Sequence, residues 1–353
     1  MYYPTLEYIL PQRIVIVGVG DLGREIAAAI QQSAAPPVLS FCDDDCALWG
    51  RECDGLPITS TEAAASVFPD ALFVVALWPY SQTEGLRHIV ARLGSWGCKV
   101  TTFIPFLWRH AQQLLPRSFW DLPDRISAYR EPIRAAYDTL DAAGKLEFTQ
   151  QLNLRLHADL SDDPHPSQQY FPDDLFELSP TECFVDCGAF DGDTLAQFMQ
   201  QSAGSFGRYI ALEPDPSNFA AVRLLGRHDD RIATYRLAAG DCYKQARFSS
   251  DGSSSRISDA GSEIVTCIPL DDLLVHEWPT YLKMDIEGSE LEALSGATNV
   301  IRRCRPKLAV CAYHCPDHLW RIPLIIRELL PSHRITLRTH YCDGQESVYY
   351  AFP

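Results

Sequence analysis

Asp186, Gly188 and Gly192 fall in CFVDCGAFDGDT, residues 183–194, and Glu213 closes the apolar run at residues 209–212. An acid at the carboxyl end of a buried strand, followed by glycines that let backbone approach a ligand, can hold a nucleoside in an open α/β sheet. A second acid at the end of the next strand is placed to take both hydroxyls of a ribose. The glycine pattern alone is weak, because many strand-to-helix turns use glycine only for tight packing. Lys283, Asp285 and Glu287 alternate with Met284 and Ile286 in YLKMDIEGSE. On a strand end these three side chains share one face. Burying three ionisable groups there is expensive, so they either build a site or form a salt-bridged network that orders the loop. His314 follows the apolar run at residues 309–313, and His340 ends the last long strand; each is a site candidate or a hydrogen-bonded structural residue. Gly18, Gly20 and Gly23 complete a G-x-G-x-x-G in RIVIVGVGDLG, and Asp43, Asp44 and Asp45 follow the next apolar run. That is the arrangement in which a helix N-terminus cradles phosphate and an acid reaches ribose. Alone, it suggests NAD.

The elements that must position these groups alternate strand and helix, so the fold class is α/β. In the C-terminal part, strands are predicted at residues 184–187, 209–212, 234–237, 281–284 and 307–313, with a helix over 194–201. An antiparallel hairpin of residues 335–341 and 347–352 closes the chain. In the N-terminal part, a strand precedes Gly18, a helix covers 22–32, and strands follow at 38–42, 71–77 and 99–104. The pattern stops near Pro105. About four strands make half a Rossmann fold, which suits a mononucleotide, or serves only packing or dimerisation. Residues 106–176 are helical in pattern, broken by Pro116, Pro123 and Pro132, with the longest run at 133–156 carrying Tyr137 and Leu146 among its apolar positions. Residues 161–174, SDDPHPSQQYFPDD, read either as a solvated linker or as a lid. The predicted domains are 1–105, a small Rossmann-like unit; 106–176, a helical linker and lid; and 177–353, the main α/β domain. Residues 248–262, rich in serine and glycine, read as a flexible loop.

The formal net charge is −16, with 46% hydrophobic and 22% charged residues. Phosphate binding needs a positive field, so the balance argues against duplex nucleic acid and against an anionic membrane as the main partner. The N-terminus MYYPTLEYIL lacks a basic region and a long apolar core, and no stretch reaches the length of a membrane span, so a cytoplasmic protein is expected. The twelve cysteines are scattered rather than paired as C-x-x-C. That favours small buried side chains in a reducing compartment over disulfides or a zinc site. The best local cluster, Cys311, His314, Cys315 and His318, lacks a matching second knuckle.

FVDCGAFDGDT, ALEPDPSNF, IPLDDLL, LKMDIEGSELEALSGA, RPKLAVCAYH and the terminal hairpin stand in the order found in the FkbM family of S-adenosylmethionine-dependent methyltransferases, which residues 180–353 resemble. The resemblance implies a class I, Rossmann-like methyltransferase fold and S-adenosylmethionine as cofactor. Asp186, Gly188, Ala189, Asp191, Gly192, Asp193 and Thr194 would surround its methionine end, and Glu213 its ribose. Asp241, after the third strand with Ala239 and Gly240, is either near the adenine or a turn residue. Ser254 and Ser255 are further contacts the resemblance suggests. Methyl transfer from a sulfonium is an in-line displacement, so acceptor, methyl and sulfur must be aligned and water kept away. An alcohol acceptor also needs a general base or a metal. His314 occupies the family's Y-H position. It is expected to be neutral near pH 7 and to take the acceptor's proton, with Asp285 orienting it and Lys283 and Glu287 beside them. The competing account makes Asp285, Glu287 and His314 ligands of a divalent cation. Gln169, Tyr170 and Phe171 resemble a segment just before the cofactor motif in FkbM-type proteins with an extra N-terminal domain, which favours the lid. FCDDD, WGRECDGLPITS and FVVAL are similar to the nucleotide-sugar-binding domain of bacterial sugar acyltransferases.

The function implied is O-methylation of a small molecule: a sugar, a nucleotide sugar or a secondary metabolite. Neither nucleic acid nor membrane is an expected partner, and homo-oligomerisation stays open. The alternatives are an NAD(P)-linked oxidoreductase using the N-terminal glycine motif and a non-catalytic nucleotide-binding protein.

Overall fold

A computed structural model describes residues 13–33, 37–77, 85–160, 164–249, 256–257 and 261–353. Ser254 and Ser255 lie outside the described residues. The chain divides into two compact units, one of Met1–Ala128, Gln150–Pro164 and Tyr341–Gln345, the other of Tyr129–Thr149, His165–His340 and Glu346–Pro353. Among the described residues, no helix is long and apolar enough to cross a membrane.

The first unit carries a six-stranded sheet of β1 (Ile14–Val17), β2 (Val38–Asp43), β3 (Glu52–Cys53), β4 (Leu56–Ser60), β5 (Leu72–Val75) and β6 (Lys99–Thr102), in the order β3-β4-β2-β1-β5-β6. All pairings are parallel except β3 with β4. The sequence pattern anticipates four of these strands and misses the β3–β4 ribbon, because Glu52–Cys53 is too short to show a period of two. β1 is buried along its whole length, as a central parallel strand must be. The helix Asp21–Gln31 lays Leu22, Ile26, Ala27 and Ile30 against the sheet. Gly23 sits so close to the turn that a Cβ would lie 2.2 Å from the Gly18 carbonyl oxygen, and Gly18 has φ +105°. Gly20 differs: its φ is −66°, and nothing stands within 4 Å of where its Cβ would be. Packing therefore demands glycine at 18 and 23 but not at 20. Asp43 accepts the Val19 N–H on Oδ2 (3.2 Å), which ties the end of β2 to the glycine turn.

The second unit is built on a seven-stranded sheet of β7 (Cys183–Cys187), β8 (Arg208–Leu212), β9 (Ile232–Tyr235), β14 (Tyr281–Met284), β15 (Lys307–Cys311), β16 (Arg334–Thr339) and β17 (Ser347–Phe352), in the order β16-β17-β15-β14-β7-β8-β9. Five strands are parallel, and β16 and β17 form an antiparallel hairpin against β15. This is the arrangement expected of a class I methyltransferase. Register places Phe184 beside both Tyr281 and Tyr209; their rings stack at 4.6 Å and meet edge-on at 5.3 Å, forming an aromatic floor on one face. The third strand runs from 232 to 235, two residues earlier than its pattern suggests.

A second, four-stranded sheet of β10 (Ala238–Ala239), β11 (Lys244–Ser249), β12 (Arg256–Ile257) and β13 (Glu263–Ile268) flanks the stretch read as loop and takes Phe248, Ser249, Arg256 and Ile257 from it. Its cause is an alternation too short to stand out: Phe248, Val265 and Cys267 point inward and bury together with Ala238. The long helical run is also interrupted. It forms two helices, Arg130–Thr139 and Ala142–His157, because Asp141 Oδ1 accepts the Gly144 N–H at 2.7 Å and starts the second afresh. Leu146, expected on the apolar face, is 65% exposed, and Tyr137 is exposed as well.

The glycine contrast predicts a stability split. Gly23→Ala forces a methyl onto backbone that cannot yield, and should destabilise the protein by about 2–3 kcal/mol. Gly20→Ala should change stability by less than about 1 kcal/mol. Urea unfolding of the two variants measures both; equal losses would show that all three glycines serve packing.

Candidate active site

Every group described next belongs to the second unit. The parallel register of β7 and β14 sets Asp186 directly beside Lys283. The Lys283 ammonium lies 2.9 Å from Asp186 Oδ1 and donates to the Gly188 carbonyl at 2.8 Å, while the Tyr209 hydroxyl donates to the other Asp186 oxygen. Asp186 and Lys283 are 0% and 1% exposed. Burial raises the Asp186 pKa, with Lys283 and Tyr209 pulling against it. Burial disfavours the Lys283 charge, yet Asp186 and then Asp285 hold its proton more tightly than usual. Lys283 is therefore bonded to Asp186 and the Gly188 carbonyl rather than to Asp285 or Glu287. The strand ends at Met284, and Glu287 takes φ +55°, which breaks the alternation.

Gly188 shows why this turn needs glycine. With φ +82°, a Cβ there would lie 1.8 Å from the Asp285 carbonyl oxygen. Ala189 is buried behind it, and Gly192, at φ +95°, leads into the helix Asp193–Gln201. Asp191 and Asp193 are engaged in that helix start: Asp193 N–H donates to Asp191 Oδ1 (3.2 Å) and Thr194 N–H to Asp193 Oδ1 (2.6 Å). Glu213, at the end of β8, accepts the Phe190 N–H on Oε2 (2.8 Å) and the Asp215 N–H on Oε1 (2.9 Å). Burial raises its pKa to about 7 against those two donors. Asp241 is exposed and pairs with Lys244 at 3.1 Å, a turn contact.

A second cluster gathers around Asp285. The Tyr170 hydroxyl donates to Asp285 Oδ2 at 2.7 Å and the Tyr313 hydroxyl to Oδ1 at 3.3 Å. Tyr170 is buried at φ +65°; its N–H donates to the Tyr350 hydroxyl, its carbonyl accepts from Tyr281, and its ring lies 4.9 Å from the Lys283 ammonium. Gln169 donates to Glu346 Oε2 at 2.6 Å. His314 Nδ1 is 2.8 Å from Glu290 Oε1, which also accepts the Ile286 N–H. His314 Nε2 lies 3.4 Å from Asp285 Oδ1 and 3.6 Å from Glu287 Oε1.

These acids overturn the expectation of a neutral His314. Burial opposes the imidazolium, but Glu290, through its charge and its hydrogen bond, and then Glu287 and Asp285 outweigh it and raise the pKa to about 10. The ring holds its proton at neutral pH and has no lone pair for an acceptor's proton. Reciprocally, burial works against the Glu290 carboxylate, but His314, His318 and the Ile286 N–H bring its pKa down to about 2. His340 is a structural residue, with Nδ1 3.1 Å from the Ser167 carbonyl, Nε2 2.8 Å from the Tyr350 hydroxyl, and burial lowering its pKa to about 4.

Glu290, Tyr313 and Glu346 were not read from the sequence as site residues. Glu290 lies inside the quoted DIEGSE segment, but an acid in the first turn of a helix is ordinary there, and nothing local says that it points inward. Glu346 stands in a hairpin far along the chain, with no motif around it.

A comparison with protein families matches residues 186–335 to the family described as Methyltransferase FkbM domain. That segment is similar to an FkbM methyltransferase domain. A crystal structure of methyltransferase FkbM from Methylobacillus flagellatus KT is similar to 97% of this chain and 90% of its own, with 24% identity and a TM-score of 0.79, which shows the fold. UDP-D-quinovosamine 4-dehydrogenase from Vibrio fischeri is similar over 26% of this chain and 75% of its own (20% identity, TM-score 0.24). Aeropyrum pernix fibrillarin in complex with natively bound S-adenosyl-L-methionine is similar over 50% of this chain and 70% of its own (12% identity, TM-score 0.31). Neither of the last two bears on function at those scores. No curated protein matches the chain.

The matched segment contains Asp186, Glu213, Lys283, Asp285, Glu290 and His314, whereas Tyr170 and Glu346 reach Asp285 and its surroundings from outside it. The buried His314–Glu290 pair predicts a pH profile. The raised histidine contributes stability that is complete below about pH 6.5 and is lost as pH rises through about 10. The depressed carboxylate contributes stability that is complete above about pH 4.5 and is lost as pH falls through about 2. Chelator-treated protein should thus lose a few kcal/mol between pH 6.5 and 10. His314→Gln should start less stable and lose the alkaline slope. Thermal unfolding across that range tests this, and an equal slope in both proteins would refute the charged pair.

Proposed function

We propose that the protein methylates a hydroxyl of a small acceptor, a sugar, nucleotide sugar or secondary metabolite, with S-adenosylmethionine as donor. The observation that carries this reading is the strand-end crevice of the matched segment, where Glu213 flanks the turn held by Gly188. The residues present suit the donor. Each Glu213 oxygen accepts one N–H and keeps a second lone pair for a hydroxyl. A diol donating to both would relieve the desolvation that raises this carboxyl to about 7. When bound, the donor supplies a methyl on a positively charged sulfur. Asp285, oriented by Tyr170 and Tyr313, faces the acceptor side. Glu346, raised to about 7 by burial and then by Asp285, is a better proton acceptor near neutral pH than the charged His314. None of the twelve cysteines is in a disulfide, which suits a reducing compartment such as the cytoplasm.

S-adenosylmethionine and S-adenosylhomocysteine should each raise the melting temperature, because a ligand that binds only the folded state stabilises it. Glu213→Ala should remove most of that shift. No shift in the parent protein would end this reading, and a shift with NADH alone would favour the oxidoreductase.

A second reading concerns the first unit, which we propose binds a nucleotide or nucleotide sugar at its glycine turn. Its support is Gly20, a glycine at the start of a helix whose own packing does not require one. Calorimetry of the full chain with UDP- and GDP-sugars should show binding that Gly20→Val reduces at least tenfold, while the S-adenosylmethionine shift stays. If the parent binds no nucleotide sugar, the unit serves packing.

A further inference from the structure

We propose that Gln169 and Tyr170, on a strap outside the matched segment, divide one proton between Asp285 and Glu346, holding Asp285 ionised and making Glu346 the acid that gains and loses it. Topology brings the two acids together. Asp285 follows β14 and Glu346 precedes β17; because β17 runs antiparallel to β15, its start lies at the same edge of the sheet as the ends of β14 and β15. One oxygen each of Asp285 and Glu346 and the Cys311 sulfur lie within 4.8 Å of one another. Carboxylates that close oppose each other's ionisation, so a proton on one favours the charge on the other.

The strap reaches both acids from an anchored base. Phe171 is buried, with its ring 5.8, 6.1 and 6.2 Å from those of Phe184, Phe198 and Tyr281. The Tyr170 N–H donates to Tyr350 on β17 at 3.1 Å, and its carbonyl accepts from Tyr281 on β14. Tyr170 and Glu346 both hold left-handed backbone, with φ +65° and +53°, which non-glycine residues keep only where their surroundings enforce it.

The donors to the two acids are unequal. Asp285 receives two phenol hydroxyls, from Tyr170 at 2.7 Å and Tyr313 at 3.3 Å, and the charged His314 stands 3.4 Å away. The Lys283 ammonium, bonded to Asp186, adds its field on the same side. Glu346 receives the Gln169 amide at 2.6 Å and shares the Tyr313 hydroxyl, whose single proton serves one acid at a time. Burial keeps the other titratable groups around the pair, Cys311, Tyr170, Tyr313 and Tyr350, neutral. Charge therefore settles on Asp285 and the proton on Glu346, whose pKa burial and then Asp285 raise to about 7. In methyl transfer, a use that rests on the reading above, Gln169 and Tyr170 are then positioning residues. The acceptor's oxygen bonds the methyl as the bond from methyl to the sulfonium sulfur breaks and leaves its electron pair on sulfur. The ionised form of Glu346 takes the acceptor's proton and returns it to water.

Infrared titration of the full chain from about pH 5 to 9 tests this without an acceptor or a methyl donor, because a protonated carboxyl has a C=O band that its carboxylate lacks. Isotope-labelled glutamate separates glutamate from aspartate bands. The parent should show a glutamate band, lost near pH 7, that Glu346→Gln removes, while the band of Glu213 remains. Tyr170→Phe takes a donor from Asp285 and should move part of the signal to an aspartate band. Gln169→Met takes the donor from Glu346 and should raise its midpoint by about one pH unit. Asp285→Asn removes the repulsion and should lower it. A strap that serves packing alone would, once loosened, admit water and lower the midpoint in every variant. That uniform fall, or a glutamate signal intact in Glu346→Gln, overturns the proposal. Circular dichroism checks folding, and if Glu346→Gln does not fold, the opposite signs in Tyr170→Phe and Gln169→Met decide. Absence of an S-adenosylmethionine shift ends the methyl-transfer reading and leaves the division of the proton to be judged by these bands.

Discussion

The Lys283 ammonium is buried where water cannot solvate it, so its partners must come from the protein, and it finds them on the neighbouring strand and the turn after it. It bonds Asp186 and the Gly188 carbonyl, binding the end of β14 to the end of β7. Removing one member of such a pair leaves an uncompensated charge and costs about 3–5 kcal/mol. Because the two strand ends are drawn together, the turn after β7 passes so close to Asp285 that only glycine fits at 188. The path of that turn then sets where Phe190 donates to Glu213 and where the helix from Asp193 begins. Glu213, the turn at Gly188 and Asp285 thus share one anchor.

Around Asp285 the governing problem is repulsion. Asp285, Glu287, Glu290 and Glu346 crowd into a partly buried volume, and each would oppose the ionisation of the others. The protein meets this with donors rather than with a single counter-charge. Glu290 takes backbone N–H groups and the imidazolium of His314, Asp285 takes two tyrosine hydroxyls, and Glu346 takes Gln169 while burial and then Asp285 raise its pKa. Tyr170 holds a left-handed backbone conformation to reach Asp285. That strain, of order 1–3 kcal/mol, is offset by hydrogen bonds to both its N–H and its carbonyl.

The sequence by itself determined the alternation of strands and helices in both parts, the glycine turn after β7, the acid that ends β8 and the terminal hairpin. These follow from periodicity and turn chemistry within about ten residues, where local sterics decide. It also located Asp285 and His314, since both end apolar runs. It could not give the short strands of the second sheet or the break at Asp141, because two to six residues carry too little pattern against a single capping hydrogen bond.

Only the tertiary structure decided what the charged groups do. Lys283 and Asp285 stand two residues apart in one motif, yet the register of β14 on β7 commits the first to Asp186, while Tyr170, more than a hundred residues earlier, claims the second. The protonation of His314 depends on Glu290, a residue that looks like an ordinary first-turn acid until the packing of its helix turns it inward. Coulombic interactions act through space and grow as water is excluded. The chain order of the residues therefore identifies the ionisable groups, and only their three-dimensional distances and burial fix the charge each one carries.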